Sequence, residues 1–208
     1  MVAAPLDVRG GLAADRRMEA IRNVCVYCGS SAGTNPRFIE AAEALGRALA
    51  EAEVGLVFGG GGDGLMGRVA RATLASGGRV TGIIPKFLMA REHALIGGQE
   101  LVVVDGMHQR KQLMFERADA FIALPGGVGT LEELVEQLTW AQLQRHRKPV
   151  LLADIDGFWR PLLGLFAHMR NLGFIREQFE VRYIVAEKIE DALPMLRAAA
   201  RRLAAPAA

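Results

Sequence analysis

The chain has 208 residues of which 51% are hydrophobic, enough for a globular core and too apolar for a mainly disordered polypeptide. Lys plus Arg number 25 and Asp plus Glu 23, and a net charge of +2 carries no basic footprint for nucleic acid or a membrane surface. Glycine stands out, 24 against 8 prolines, and it is clustered, as it is where backbone must turn tightly or approach a ligand closely.

Met1 to Asp15 is rich in small residues and interrupted by Asp7, Arg9 and Asp15, which reads as a flexible leader over 1–20 and not as a signal peptide. Residues 21–203 then form one domain. Arg22 to Cys28 reads as a short β-branched strand ended by Gly29, Ser30 and Ser31. Cys25 and Cys28 lie within or at the end of that strand, and their odd separation puts them on opposite faces. Two buried thiols fit that placement better than a redox pair, and they suit a reducing, cytoplasmic compartment.

Asn35-Pro36 predicts a capped helix start, with the helix running to about Ala50. Val54 to Phe58 is a second strand that runs into Gly59-Gly60-Gly61-Gly62, and a helix over about Leu65 to Ser76 ends at Gly77 and Gly78. Arg79 to Ile84 is a third strand, Pro85 to Gln99 an irregular loop with a short helix, and Leu101 to Val104 a fourth strand. A helix over Met107 to Arg117 leads to a fifth strand, Asp119 to Leu124, and to Pro125-Gly126-Gly127. Thr130 to about Gln144 is helical, Pro149 to Leu152 a sixth strand, Phe158 to Arg170 helical, Glu180 to Val185 a last strand, and Glu187 to Arg202 a closing helix. No stretch is apolar over the roughly 18 residues a membrane span requires.

Alternation of short apolar strands with helices predicts an α/β fold, a Rossmann-like doubly wound parallel sheet with helices on both faces. Ligands of such sheets bind beyond the carboxyl ends of the strands, where both glycine clusters fall. The first, Gly59 to Gly67, contains G-x-G-x-x-G at Gly62, Gly64 and Gly67. It follows the second strand, and no ribose-binding acid stands about 20 residues on, so a dinucleotide is a poorer fit than a nucleotide or sugar phosphate. The second, Pro125 to Glu133, joins a strand to a helix N-terminus whose free N–H groups and Thr130 hydroxyl suit a phosphate. It lacks the Gly-Lys-Ser/Thr of a P-loop. Glu132 alone reads as a helix-dipole acid. Arg110 and Lys111 can face the same crevice and bind phosphate.

Met107-His108-x-Arg110-Lys111 together with Pro125-Gly126-Gly127-x-Gly129-Thr130-x-x-Glu133 resembles the LOG ("Lonely Guy") family of cytokinin-activating phosphoribohydrolases, formerly labelled lysine decarboxylases. The likeness runs from about Asn23 to Val185 and includes Cys28 to Ser31, Gly64 to Gly67, Ile84-Pro85-Lys86 and Arg91-Glu92-His93. The resemblance implies hydrolysis of the N-glycosidic bond of adenosine 5'-monophosphate or an N6-substituted derivative, no organic cofactor, and a homodimer or higher homo-oligomer with the site near the interface. It implies Arg110 and Glu133 as the catalytic pair. It implies nucleotide contacts at Glu92, Lys111, Gly126, Gly127, Val128, Gly129, Thr130, Leu131, Glu132 and Thr139, with Ser30, Gly60, Gly61 and Met66 along the first glycine wall. Glu133 is expected ionised, held so by Arg110. An apolar base substituent would draw on Met89, Leu95, Met114 or Trp140.

A pyridoxal-phosphate decarboxylase fits poorly, since no Schiff-base lysine with a supporting acid stands out. The non-enzyme alternative is a protein that binds or senses a nucleoside monophosphate. The four histidines, His93, His108, His146 and His168, have no ligand spacing for a metal, and Asp154-x-Asp156 reads as a turn.

Overall fold

The computed structural model describes residues 21–94 and 97–204, so the expected leader over 1–20, and Leu95, lie outside the described residues. Seven strands pair in parallel: β1 (Asn23–Tyr27), β2 (Gly55–Phe58), β3 (Val80–Pro85), β4 (Glu100–Val104), β5 (Ala120–Ala123), β6 (Val150–Ala153) and β7 (Ile184–Ala186). Their order across the sheet is β4-β3-β2-β1-β5-β6-β7. The helices are α1 (Pro36–Glu51), α2 (Gly64–Ala75), α3 (Met107–Arg117), α4 (Val128–Gln142), α5 (Arg160–Asn171) and α6 (Ala192–Ala204). This is the doubly wound α/β arrangement expected from the alternating pattern.

Strand alternation sorts the core into two layers. Val24, Val26 and Cys28 pack with Leu45, Val69 and Leu196 on the face covered by α1, α2 and α6. Cys25 and Tyr27 pack with Met114, Leu134 and Phe166 on the face covered by α3, α4 and α5. The two thiols are therefore buried on opposite faces, as their spacing requires, and neither forms a disulfide. Burial pushes both thiol pKa values well up, which keeps them protonated and unreactive.

Strand order reverses between β1 and β5, and the helices that follow them, α1 and α4, cover opposite faces of the sheet, which makes this the switch point at which ligands of such sheets bind. Several boundaries depart from expectation by a residue or more, and three of them have a local cause. Helix α4 starts at Val128, two residues before Thr130, because glycine costs little in a first turn whose N–H groups have no helical partner anyway. Strand β7 starts at Ile184, since Glu180 is held outside the sheet by an ion pair with Arg170. Helix α6 starts at Ala192, after a 3-10 turn at Ile189–Asp191, with Pro194 in its first turn, where proline is tolerated. Asp154 and Asp156 are turn residues: Asp154 accepts from Trp159 N at 2.6 Å, and Asp156 sits at φ 52° bonded to Asn35 and Arg37.

Candidate active site

Helix α3 sends Arg110 under the first glycine loop. The side chain is only 7% exposed, with Nε donating to Ile83 O at 3.2 Å and Nη2 to Gly59 O at 2.9 Å. Glu92 Oε2 lies 3.6 Å from Nη2 and supplies countercharge, which a buried guanidinium needs. Gly59 is required here: a Cβ at this position would stand 2.0 Å from Arg110 Nη2. Gly64, at φ 54°, brings the start of α2 against the Ser30 backbone, where a Cβ would meet carbonyl carbon at 2.3 Å. Met66 is buried beneath the same loop, close to Gly59 and Gly61.

The second loop meets the turn after β1 at the β1/β5 reversal, where Gly29 N donates to Pro125 O at 3.1 Å, and the Leu65 amide at the start of α2 donates to Gly29 O at 3.0 Å. Gly126 leaves no room for a side chain, since a Cβ would lie 2.2 Å from Thr130 Oγ1. Gly127 and Gly129 face open space, and Val128 between them is 84% exposed. Among the described residues no side chain caps α4, so its first N–H groups have no side-chain acceptor, an arrangement that suits an anion.

Glu133 follows one turn later, half-buried. Burial pushes its carboxyl up to about 7, outweighing the opposing charges of Arg110 and Lys111, while Glu132 and Glu92 add to the rise. The expectation that Arg110 keeps Glu133 fully ionised is thus corrected: desolvation wins, and the group titrates near neutrality. Lys111 is not a free cation in the crevice. Its Nζ lies 2.5 Å from Glu132 Oε1 and 2.9 Å from Glu136 Oε1. Desolvation lowers its pKa, but the two carboxylates outweigh that and hold it above the ordinary lysine value.

Arg110, Glu92, Glu133, the 126–130 loop, Gly60, Gly61 and Met66 are thus brought to one end of the sheet, with Ser30 exposed at the rim. Leu131 is half-buried and Glu132 exposed on the neighbouring turn. Thr139 is not with them. It is exposed, bonds Val135 O of its own helix at 2.7 Å, and lies nine residues past Thr130, roughly 13 Å along the axis. Met114 is 1% exposed and belongs to the core, so it cannot line an open pocket for a base substituent. Met89 and Trp140 are half-buried, and Trp140 packs edge-on against Phe115. A hollow of about 370 Å³ beside Trp140 is lined by His108, Gln109, Lys111, Gln112 and Glu136.

Two residues near Glu133 escape the motif reading. Gln137 is fully buried one turn after Glu133 on the same helix face, and neither amide atom has a hydrogen-bond partner among the described residues. The buried stripe of Thr130, Leu134 and Leu138 marks it as a polar residue at a core position. Tyr27 is buried beneath, and the Glu133 charge helps raise its phenol pKa after burial and Cys25. No spacing signal marks Tyr27; only the fold brings it near.

A family model described as "Possible lysine decarboxylase" matches residues 66–196. The cytokinin riboside 5'-monophosphate phosphoribohydrolase of Rhodococcoides fascians is 47% identical over 177 residues, which cover 85% of this chain and 89% of that protein. The enzyme of that name called LOG7 in Arabidopsis thaliana is 52% identical over 157 residues, covering 74% of this chain and 71% of LOG7. The chain belongs to the LOG family. Among solved structures, this LOG-family chain is similar to the molybdenum cofactor binding protein of Rippkaea orientalis, with TM-score 0.65, 21% identity, and 86% and 97% of the two chains covered. The Moco carrier protein of Chlamydomonas reinhardtii gives TM-score 0.67 at 18% identity, covering 88% and 99%. At such identities the likeness is one of fold. The decarboxylase wording of the family model does not suit the lysines of this LOG chain. Lys111 is bound by two carboxylates, Lys148 Nζ donates to Phe115 O at 2.6 Å, and Lys86 and Lys188 are exposed, whereas a Schiff-base lysine is a buried or part-buried amine free of such partners.

Proposed function

We propose that this LOG-family chain hydrolyses the N-glycosidic bond of adenosine 5'-monophosphate and its N6-substituted derivatives, releasing the free base and ribose 5-phosphate. The observation that carries the reading is the spacing on α4: an uncapped N-terminus with open Gly127 and Gly129, and Glu133 one turn behind it beside buried Arg110. The helix N-terminus and the Thr130 hydroxyl hold the 5'-phosphate, with the Val128 and Gly129 amides beside it, since the Leu131 amide already donates to Gly127 O at 3.0 Å. That anchor sets the ribose over Glu133 and Glu92.

Cleavage moves the bonding pair of C1'–N9 onto the base and leaves positive charge on C1' and the ring oxygen. The Glu133 carboxylate near that carbon gains attraction as the charge develops, which lowers the barrier and not merely the substrate's energy, while Glu92 accepts from a sugar hydroxyl alike before and during cleavage. A water attacks C1', and Glu133 takes its proton; a base that titrates near 7 combines availability and strength at neutral pH. The departing base takes up a proton from solvent. Arg110 places the reacting centre and, held by two backbone carbonyls, cannot swing away from it.

A pure binding protein would place no half-buried acid titrating near neutrality behind a phosphate site, so the catalytic reading is preferred. We place Thr139, with exposed Val135 on α4 and exposed Leu143 just past its end, at a contact between two copies of the chain. The buried thiols suit a cytoplasmic setting; among the described residues no helix is long and apolar enough to cross a membrane. The test is a product assay with AMP and N6-isopentenyl-AMP, with other nucleoside monophosphates as controls. Release of free base and ribose 5-phosphate in equal amounts is expected; retention of intact nucleotide would leave only the binding reading.

A further inference from the structure

We propose that Asp63 and His93 form a latch that positions Glu92 over the crevice, making both of them positioning residues. The proposal rests on the phosphoribohydrolase reading above and concerns how the loop over 86–94 is held.

Asp63 occupies the N-cap position of α2, yet its side chain makes no cap hydrogen bond. An aspartate there ordinarily accepts from the second or third N–H of the helix and stabilises it. Here Oδ2 lies 2.5 Å from His93 Nδ1 instead. An ionised carboxylate only accepts, so Nδ1 carries the proton and donates. The helix gives up its side-chain cap for a contact with a loop 30 residues away in the chain.

His93 is held in an unusual backbone state as well. Its φ is 42°, a left-handed conformation that costs a non-glycine residue energy unless the surroundings fix it. The surroundings do: Gly62 N donates to both Glu92 O and His93 O at 3.0 Å, and Gly61 pairs with Ala94 in an isolated bridge. Arg71 Nη1 bonds Gly62 O at 2.8 Å from the far side and steadies the strip that receives the loop. Residues 92–94 are thereby stitched to residues 61–63, with the Asp63–His93 pair as the side-chain stitch.

The product of this seam is the placement of Glu92. Its Oε2 stands 3.6 Å from Arg110 Nη2, is buried, and has no hydrogen-bond partner among the described residues. A buried acceptor without a donor is costly, and a sugar hydroxyl is the donor a ribosyl substrate brings. The latch itself is at the rim, with side chains 76% and 52% exposed for His93 and Asp63. An exposed pair contributes little to global stability, so its consequence is local: it sets where Glu92 waits.

Four variants of the full chain test this: Asp63→Ala, His93→Ala, Asp63→Asn and His93→Asn. Both asparagines keep the hydrogen bond, one as acceptor and one as donor, and asparagine tolerates the left-handed backbone at 93. Each alanine variant should raise KM for AMP about fivefold to tenfold with kcat changed less than about twofold, and each asparagine variant should stay within about twofold of wild type. AMP affinity, read by calorimetry in a Glu133→Gln background, should fall by the same factor, and the thermal midpoint should hardly move. Unchanged KM and affinity in both alanine variants, a fall in kcat at constant KM, or asparagine variants as weak as the alanines would each overturn the latch. Absence of ribose 5-phosphate from wild type would overturn the hydrolase reading instead, while calorimetry still judges the latch.

Discussion

At the amino-terminal end of the strands, Arg22, Arg79 and Arg117 share a cleft of about 750 Å³ with Glu100, Glu116 and Asp119. At the carboxyl end, Arg110 is sunk beneath a glycine loop with Glu92 and Glu133 around it. The first region is a wide hollow with three arginines, but its charges are met by neighbours at the surface. Arg117 Nη1 pairs with Glu100 at 2.7 Å, and the Asp119 carboxylate accepts the amides of Arg22 and Asn23 at 2.9 Å. Bonding to Arg117 leads the causes that hold the Glu100 carboxyl below its ordinary value. In the second region burial outweighs pairing and Glu133 is pushed up to about 7. Hollow size thus says little here; the useful difference is between charges already satisfied and charges left ready for a substrate.

That contrast can be broken by substitution, and the largest effect is expected at Glu133. Glu133→Gln should lower kcat roughly a thousandfold with AMP affinity nearly unchanged, measured by ribose 5-phosphate release and calorimetry. Arg110→Ala should cost roughly a hundredfold in kcat/KM and lower the thermal midpoint, because Ile83 O and Gly59 O lose their donor. Gly126→Ala pushes a methyl group against Thr130 Oγ1 and should weaken AMP binding about tenfold while leaving adenosine binding less affected. Arg117→Ala, at the opposite end, should change kcat/KM by less than about twofold.

Titration sharpens the same comparison. With Glu133 as the base, kcat/KM for AMP should fall as pH drops below about 7, where the carboxyl takes up a proton. Stability carries the opposite signature. A carboxyl whose folded pKa lies above its unfolded value binds more protons when folded, so its contribution worsens as pH rises from about 4.5 to about 7 and is constant above. Glu133→Gln should therefore stabilise the fold at pH 8 by on the order of 1–3 kcal/mol and hardly at pH 4, read by denaturant titration.

Strand and helix alternation, the opposite faces of Cys25 and Cys28, and the placement of both glycine clusters at carboxyl ends of strands were all legible in the chain, because they depend on period and local turn chemistry. Strand order was not: neighbours such as β1 and β5 are set by packing between segments almost 100 residues apart. The site followed the same division. Gly126 to Thr130 and Arg110 could be named from motifs. The protonation of Glu133 could not, because it depends on how much protein surrounds the carboxyl. Nor could the engagement of Lys111 by Glu132 and Glu136, since two helices must first be laid side by side. Tyr27 carries no motif and comes to notice only through burial, and Gln137 is marked in the sequence only by its place beside the core positions Leu134 and Leu138.

The central claim joins a phosphate anchored on the α4 N-terminus to bond cleavage at Glu133, so the most direct measurement compares kcat/KM for AMP and for adenosine under the same conditions. Losing the anchor should cost at least about a hundredfold, with ribose 5-phosphate formed from AMP and little adenine freed from adenosine. Equal rates on the two substrates would contradict the account.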